Sequence, residues 1–280
     1  MILINGSTGM IGSHLKSKLD CETFGKNGTY LDCDLTDARC RDSLKVSLSK
    51  ARVIVHLEAF GANDDSYKHV DSIVALKNVI ECMPQYCQLI YISTCSLYAN
   101  VSDTSSRQDE ESPINPSTAY LRSKAYCEEM IKDRVLRYTI LRLSNVISKN
   151  MKHGIIYDWK ENKSCGDEIS ICNKYPGSIR SFINISSVIS AIESCIDKPV
   201  TFKQVINVCA GDSISLTEVA DIMMLKITEY VTIANMTVLQ PDSSKMVSLL
   251  GFDGGCSGIN IVTYLNNVGY FKNDAKSKRY

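Results

Sequence analysis

The chain has no excess charge of either sign, with 31 Lys and Arg against 31 Asp and Glu in 280 residues. Apart from a basic stretch at Lys276 to Arg279 there is no block of like charge, so nucleic acid and anionic membrane are not expected partners. No apolar run reaches the roughly 20 residues of a membrane span. A buried-strand pattern begins at residue 1 and leaves no room for a secretory leader, so a soluble, cytoplasmic protein is expected. Twelve cysteines are present, yet no two stand at CxxC spacing. Close pairs such as Cys82 with Cys87 and Cys165 with Cys172 have no histidine cluster beside them, and most of the others lie in apolar runs such as Val205 to Cys209. Free cysteine in such runs behaves as a small hydrophobe, so neither a metal site nor a disulfide framework is expected.

What is present is organised around the first fifteen residues. Met1 to Asn5 reads as a fully buried strand, and Gly6-Ser7-Thr8-Gly9-Met10-Ile11-Gly12 follows, opening into a helix at Ser13-His14-Leu15. A phosphate-binding turn needs backbone N–H groups at a helix N-terminus and no Cβ where the anion approaches, and glycine supplies both. The spacing is GxxGxxG and not the commoner GxGxxG, so steric placement of the glycines alone is the competing reading. Thr29 to Asp32 reads as the second strand, ending in an acid twenty residues after Gly12, the usual reach to an adenosine ribose. Either Asp32 or Asp34 then faces the ribose, and a carboxylate there disfavours a 2′-phosphate, which points to NAD, with NADP as the alternative.

Buried strands follow at Arg52 to Leu57, Leu89 to Ile92 and Tyr138 to Leu143, with helices at Ser72 to Met83 and Ala119 to Val135 between them. This alternation specifies α/β architecture: a doubly wound, Rossmann-type parallel sheet. Polar Asp103 to Pro116 reads as a loop over the site. Beyond Asn145 the pattern loosens. It contains a short helix at Ile155 to Asn162 with the only tryptophan, Trp159, strands at Ile169 to Cys172 and Ser181 to Asn184 around a turn at Pro176-Gly177, and a helix at Val188 to Ile196. A capping-box start follows at Ser215 to Glu218, then short helices at Lys245 to Leu250 and Ile259 to Asn267, and a frayed tail. The expected division is a dinucleotide-binding domain over 1–145, to which 186–210 returns, and a smaller, irregular substrate domain over 146–280.

Tyr120 and Lys124 stand four apart on one helix face, where an ammonium can stabilise a phenolate and lower its pKa. A single YxxxK is expected by chance in a chain with fourteen tyrosines, so the spacing alone is weak. Order strengthens it: glycine turn, then a strand ending in Ser93-Thr94, then Tyr120. Here the chain resembles the extended short-chain dehydrogenase/reductase family, in its NAD-dependent epimerase/dehydratase branch. The resemblance rests on Gly6 to Gly12, Asp34 to Asp37, Ile54 to Ala59, Tyr91 to Tyr98, Tyr120 to Lys124, Leu141 to Val146, Arg180 to Ile185, Ile206 to Val208 and Leu249 to Phe252.

The resemblance implies Tyr120 as acid/base, Lys124 as ligand of the nicotinamide ribose, and Thr94 as hydrogen-bond partner of the reacting oxygen. It places the cofactor on Gly6, Gly9, Met10, Ile11 and Gly12, against Leu57, Glu58 and Ala59, with Asp34 and Leu35 at adenine and Val146 at the nicotinamide. Cys95, Ser96, Asn145 and Arg180 would meet a nucleotide-sugar substrate. Relatives that catalyse 4,6-dehydration carry Thr-Asp-Glu where this chain has Thr94-Cys95-Ser96, so elimination is not expected. Glu58, Ser72, Ser181 and Ser187 also depart from the usual pattern. The expected activity is hydride transfer at a sugar carbon, as a 4-epimerase or a 4-keto reductase, in a possible homodimer paired through the two long helices. The alternative is a non-catalytic cofactor-binding regulator.

Overall fold

The computed structural model describes residues 1–57, 66–98, 107–165, 169–172, 178–231 and 238–272. Its N-terminal part runs β1 (Ile2–Asn5), α1 (Met10–Lys18), β2 (Glu22–Gly25), β3 (Leu31–Asp32), α2 (Arg41–Leu48), β4 (Val53–His56), α3 (Ser66–Cys82), β5 (Gln88–Thr94), α4 (Ala119–Arg134) and β6 (Tyr138–Leu143). The chain continues through β7 (Asn145–Ile147), α5 (Ile155–Cys165), β8 (Ile169–Cys172), β9 (Ile179–Arg180), β10 (Phe182–Asn184), α6 (Ile185–Cys195) and β11 (Gln204–Val208). It ends with β12 (Ile214–Ser215), α7 (Leu216–Ile222), β13 (Ile227–Val231), α8 (Ser244–Leu250) and α9 (Ser257–Asn267).

Seven strands form one parallel sheet in the order β11-β6-β5-β4-β1-β2-β3. Its central strands are apolar on both faces, as a sheet covered by helices on both sides requires. Alternate residues serve opposite layers. Leu3, Ile54, Leu89 and Tyr91 pack under α2, α3 and α4 with Leu44, Leu76, Val79 and Ile131. Ile4, Val53, Val55, Ile90 and Ile92 pack under α1, α6 and α8 with Leu15, Val188, Ile192 and Met246. A third cluster, with Ile147, Trp159, Phe182, Leu216, Val219 and Tyr264, gathers α5, α7 and α9 over β7 and β10. The helix at 215 begins with the expected capping box between Ser215 and Glu218.

One strand expectation is corrected. The strand beside β1 is Glu22–Gly25, and the stretch ending in Asp32 is the third, edge strand. Parallel strands are ordinarily joined by a crossover of a dozen or more residues. Here Lys26 to Tyr30 alone make the connection, folded so tightly against β2 that a Cβ on Gly28 would lie 2.4 Å from the Leu31 oxygen and 2.7 Å from the Phe24 Cα. The missing helix removed the periodicity that would have separated the two strands. The strands β7, β9, β11, β12 and β13 and the helix α2 also had no counterpart in the sequence reading. The loop expectation is met in part by 107–116, while 99–106, the turn at Pro176-Gly177 and the tail beyond 272 lie outside the described residues.

Candidate active site and dinucleotide cleft

In a parallel sheet all strands end on one edge, and ligands collect beyond it. At that edge β1 leads into Gly6, whose φ of 67° is in the left-handed region that glycine tolerates. The Gly6 oxygen accepts from Gly9 N at 3.1 Å, closing the turn. Gly9 is the N-cap of α1 and brings no side chain to cap it. The first-turn N–H groups of the helix therefore point outward without a side-chain acceptor. A Cβ on Gly12 would sit 2.3 Å from the Gly6 oxygen and 2.6 Å from the Ser7 Cα, so this close helix-to-turn approach excludes any larger residue. Gly12→Ala is expected to cost about 1–3 kcal/mol in stability and to weaken dinucleotide binding, measured by denaturant unfolding alongside fluorescence titration. Beside the turn opens a cleft of about 440 Å³ that includes Gly9, Met10 and Val146. An uncapped helix start, a turn that admits only glycine and an adjoining cleft fit a dinucleotide diphosphate.

Tyr120 is the second residue of α4, whose start is set by Thr118, the N-cap that accepts from Leu121 N at 3.2 Å. The Tyr120 hydroxyl lies near the Thr94 side chain, and the Thr94 Oγ1 accepts from Ser96 N at 3.1 Å. Burial pushes the Tyr120 phenol above its ordinary value, and the Thr94 contact opposes that rise. Lys124 lies on the same face but turns inward. Its Nζ donates to the Ile92 oxygen at 2.7 Å and lies 4.7 Å from the centre of the Tyr91 ring. Burial lowers its pKa to about 8. The influences on the phenol are its burial and the nearby Thr94.

Beneath Lys124, His56 stacks on Tyr91 at 5.9 Å between ring centroids. The Asn5 amide donates to its Nδ1 at 3.1 Å, so the proton sits on Nε2, which has no partner among the described residues. Burial, with the Lys124 charge adding to it, lowers the His56 pKa to about 3. The imidazole is neutral in the fold and charges readily when unfolded, so stability is present above the unfolded value near 6.5 and falls as pH drops toward 3. His56 should contribute a loss of about 2 kcal/mol between pH 7 and pH 5, absent in His56→Gln, in urea unfolding at the two pH values.

The remaining site expectations divide. Val146 and Met10 line the cleft, and Ile11 packs against the core at the start of α1. Leu57 N donates to the Asn5 Oδ1 at 2.8 Å, holding the end of β4 beside the turn. Asp34 accepts from Thr36 N and Oγ1, and that hydroxyl contact is the main cause of its lowered pKa. Leu35 is in the core, and its carbonyl oxygen accepts from the buried Asn78 Nδ2 at 2.7 Å. Asp32, one strand farther from β1 than expected, accepts from Asn27 N at 2.8 Å. Cys95 is fully buried, its thiol donating to the Arg142 oxygen at 3.1 Å, whereas Ser96 is half-buried. Asn145 donates to the Ser181 oxygen at 3.0 Å, and Arg180 donates to its neighbour's carbonyl on β9. Glu58 and Ala59 lie outside the described residues. Among the described residues no cluster of three or more His, Cys, Asp or Glu could hold a metal.

Three contributions escaped the sequence. The His69 ring, on α3, stands 5.8 Å from the Tyr120 ring. Glu128 and Arg142 form a buried pair beneath Thr94. Asn150, Lys152 and His153 line the cleft across from the glycine turn. Of these Glu128 was legible, since it follows Lys124 by one helical turn on the same face.

A parallel doubly wound sheet, a glycine turn opening a helix and a Tyr-Thr pair at the sheet's carboxyl edge define a Rossmann-type protein of the short-chain dehydrogenase/reductase kind. Residues 2–209 match the NAD dependent epimerase/dehydratase family, and the chain belongs to that family. It is therefore an NAD-dependent enzyme. A protein of Methanocaldococcus jannaschii named "Putative UDP-glucose 4-epimerase" is 25% identical over 253 residues, 80% of this chain and 81% of that one. Among solved structures, WbmH of Bordetella bronchiseptica, in complex with NAD+, superposes with a TM-score of 0.78 at 19% identity, over 96% of this chain and 99% of the other. The UDP-glucose 4-epimerase of Thermotoga maritima, with UDP-glucose, gives 0.74 at 18% identity, over 98% and 99%. Among the described residues no helix is long and apolar enough to cross a membrane.

Proposed function

We propose that this enzyme of the nucleotide-sugar epimerase/dehydratase type moves hydride at a sugar carbon, as a 4-epimerase or a 4-keto reductase. The observation that carries this reading is the placement of Tyr120, at the start of α4, beside Thr94 at the carboxyl edge of β5. Two hydroxyls converging there can hold one substrate oxygen. Tyr120 exchanges the proton, and Thr94 stabilises charge on that oxygen as it changes between hydroxyl and carbonyl. The bound nicotinamide supplies the hydride acceptor or donor. Lys124, with a pKa lowered to about 8, can donate to the nicotinamide ribose by swinging from Ile92. Cys95, buried and bonded to β6, offers no acid or base for elimination, which favours epimerisation or reduction over dehydration.

In the proposed arrangement the seven-stranded sheet carries the cofactor and the irregular region after 145, apart from 186–210, carries the sugar nucleotide. The test is incubation with a panel of nucleotide sugars and their 4-keto forms, following reduced-nicotinamide absorbance and the sugar products. C4 epimers without net NADH change support epimerase, stoichiometric NADH consumption supports reductase, and no turnover of any sugar overturns the reading.

At the end of β2 stands Lys26, which faces Asp34, with the Asp32 carboxylate engaged at Asn27 in the same turn. Two carboxylates against one ammonium leave this corner unfavourable to a 2′-phosphate. NADH is expected to bind at least about tenfold more tightly than NADPH, roughly 1.4 kcal/mol, in parallel fluorescence titrations, and equal affinities would contradict this. A homodimer through α3 and α4 is part of the proposal: Val70 and Tyr126 are 56% and 57% exposed on those helices. Light scattering that finds a monomer at working concentration would refute it.

A further inference from the structure

The cleft at the glycine turn has two walls of different origin. One is the turn and the start of α1, with Thr8, Gly9 and Ser13; the other is the chain between β7 and α5, with Asn150, Lys152 and His153. Apolar packing sets the distance between them, because Met10 from the first wall and Met151 from the second join the same cluster around Ile147, Ile156 and Trp159. The second wall is also bracketed locally. Met151 N donates to the Ser148 oxygen, and Asp158 N donates to the Gly154 oxygen as α5 begins. Lys152 and His153 sit between these two closures.

The charge of the second wall is one-sided. From Asn145 to Tyr157 the sequence holds Lys149, Lys152 and His153 and no acid. Lys152 and His153 are exposed, and neither forms an ion pair among the described residues. Among the described residues no carboxylate lines the cleft. Opposite stand the uncapped N–H groups of α1, so both walls present donors and positive potential to the same space. A group of two linked phosphates matches that chemistry, because each can take charge-assisted hydrogen bonds from one side.

We propose that Lys152, by its charge, and His153, as a hydrogen-bond donor, form a second wall for the diphosphate of the dinucleotide, closing it against the glycine turn. This rests on the reading that the dinucleotide lies on that turn. The same chemistry would suit the diphosphate of a sugar nucleotide, so the test separates the two. NADH, ADP-ribose, adenosine and UDP are titrated against the wild type, Lys152→Ala, Lys152→Arg and the Lys152→Ala/His153→Ala pair, by fluorescence or calorimetry at two salt concentrations.

Lys152→Ala is expected to weaken NADH and ADP-ribose alike, by about tenfold, and the double variant further, while adenosine and UDP are unchanged. Lys152→Arg should retain most of the affinity, and the salt dependence of NADH binding should be smaller in Lys152→Ala than in the wild type. Unchanged melting temperatures would confirm that the exposed substitutions leave the fold intact. Weakening of UDP alone, or NADH affinity equal in all variants, would overturn the proposal while leaving the dinucleotide site in place. Failure of the wild type to bind NADH or ADP-ribose would instead overturn the underlying reading, and the proposal with it.

Discussion

Tyr120→Phe is expected to lower turnover by roughly 10²–10⁴-fold while NADH affinity stays within about twofold of wild type. The phenyl ring preserves the packing against His69, 5.8 Å away, and leaves the Thr94 Oγ1 its bond from Ser96 N. What disappears is the hydroxyl beside Thr94 that carries the exchangeable proton in the proposed reaction. Thr94→Val, which keeps volume and removes the second hydroxyl, should cost turnover in the same direction. Paired measurements of kcat and of NADH binding decide the matter. Loss of both together would mean that the ring builds the cofactor site, and unchanged kcat would remove Tyr120 from the chemistry and favour the non-catalytic alternative.

Glu128→Ala should destabilise the fold by about 3–5 kcal/mol, which in a chain of this size lowers the melting temperature by roughly 10 °C. The Glu128 and Arg142 side chains are 1% and 4% exposed. Glu128 Oε1 accepts from Arg142 Nε at 3.0 Å and from Ser93 Oγ at 2.6 Å, and Oε2 accepts from Arg142 Nη2 at 2.6 Å. Arg142 Nη1 donates onward to the Tyr98 hydroxyl at 2.7 Å, and Tyr98 donates to the Asn207 Oδ1 at 2.8 Å. The network thus fastens α4, β5, β6 and β11 together directly beneath Thr94. Removing one carboxylate leaves a guanidinium buried without its counter-charge, and that orphaned charge is the main cost. The double variant Glu128→Leu/Arg142→Met should recover most of the loss, because apolar replacement of both partners restores packing without a lone charge. Calorimetric melting and urea titration of both variants test this, and a single-variant loss below about 1 kcal/mol would show that water reaches the pair.

Residue order alone was sufficient for the central strands of the sheet. Continuous β-branched runs at Val53 to His56 and Tyr138 to Leu143 are buried on both faces, and no other placement satisfies such strands. The pairing of Tyr120 with Lys124 on one helix face was equally legible, because helical spacing is a local property. The glycine turn was recognisable for the same reason.

Tertiary packing decided what lies between these markers. Asp32 has the right count from Gly12, yet it ends an edge strand, because the tight return at Gly28 places Glu22–Gly25 beside β1 instead. Cys95 follows Thr94 in sequence but faces the core, because the chain leaves β5 at Thr94 and turns into a 3₁₀ helix over Cys95–Tyr98 that buries the thiol on the Arg142 oxygen. Lys124 has its partner in the Ile92 carbonyl, a contact across elements that spacing along α4 cannot reveal. Lys152 and His153 reach the glycine turn from the far side of the cleft only because Met10 and Met151 share one apolar cluster. Local chemistry is written along the chain, whereas which strand neighbours which, and which side chain meets a turn more than a hundred residues away, depends on how the whole core fills.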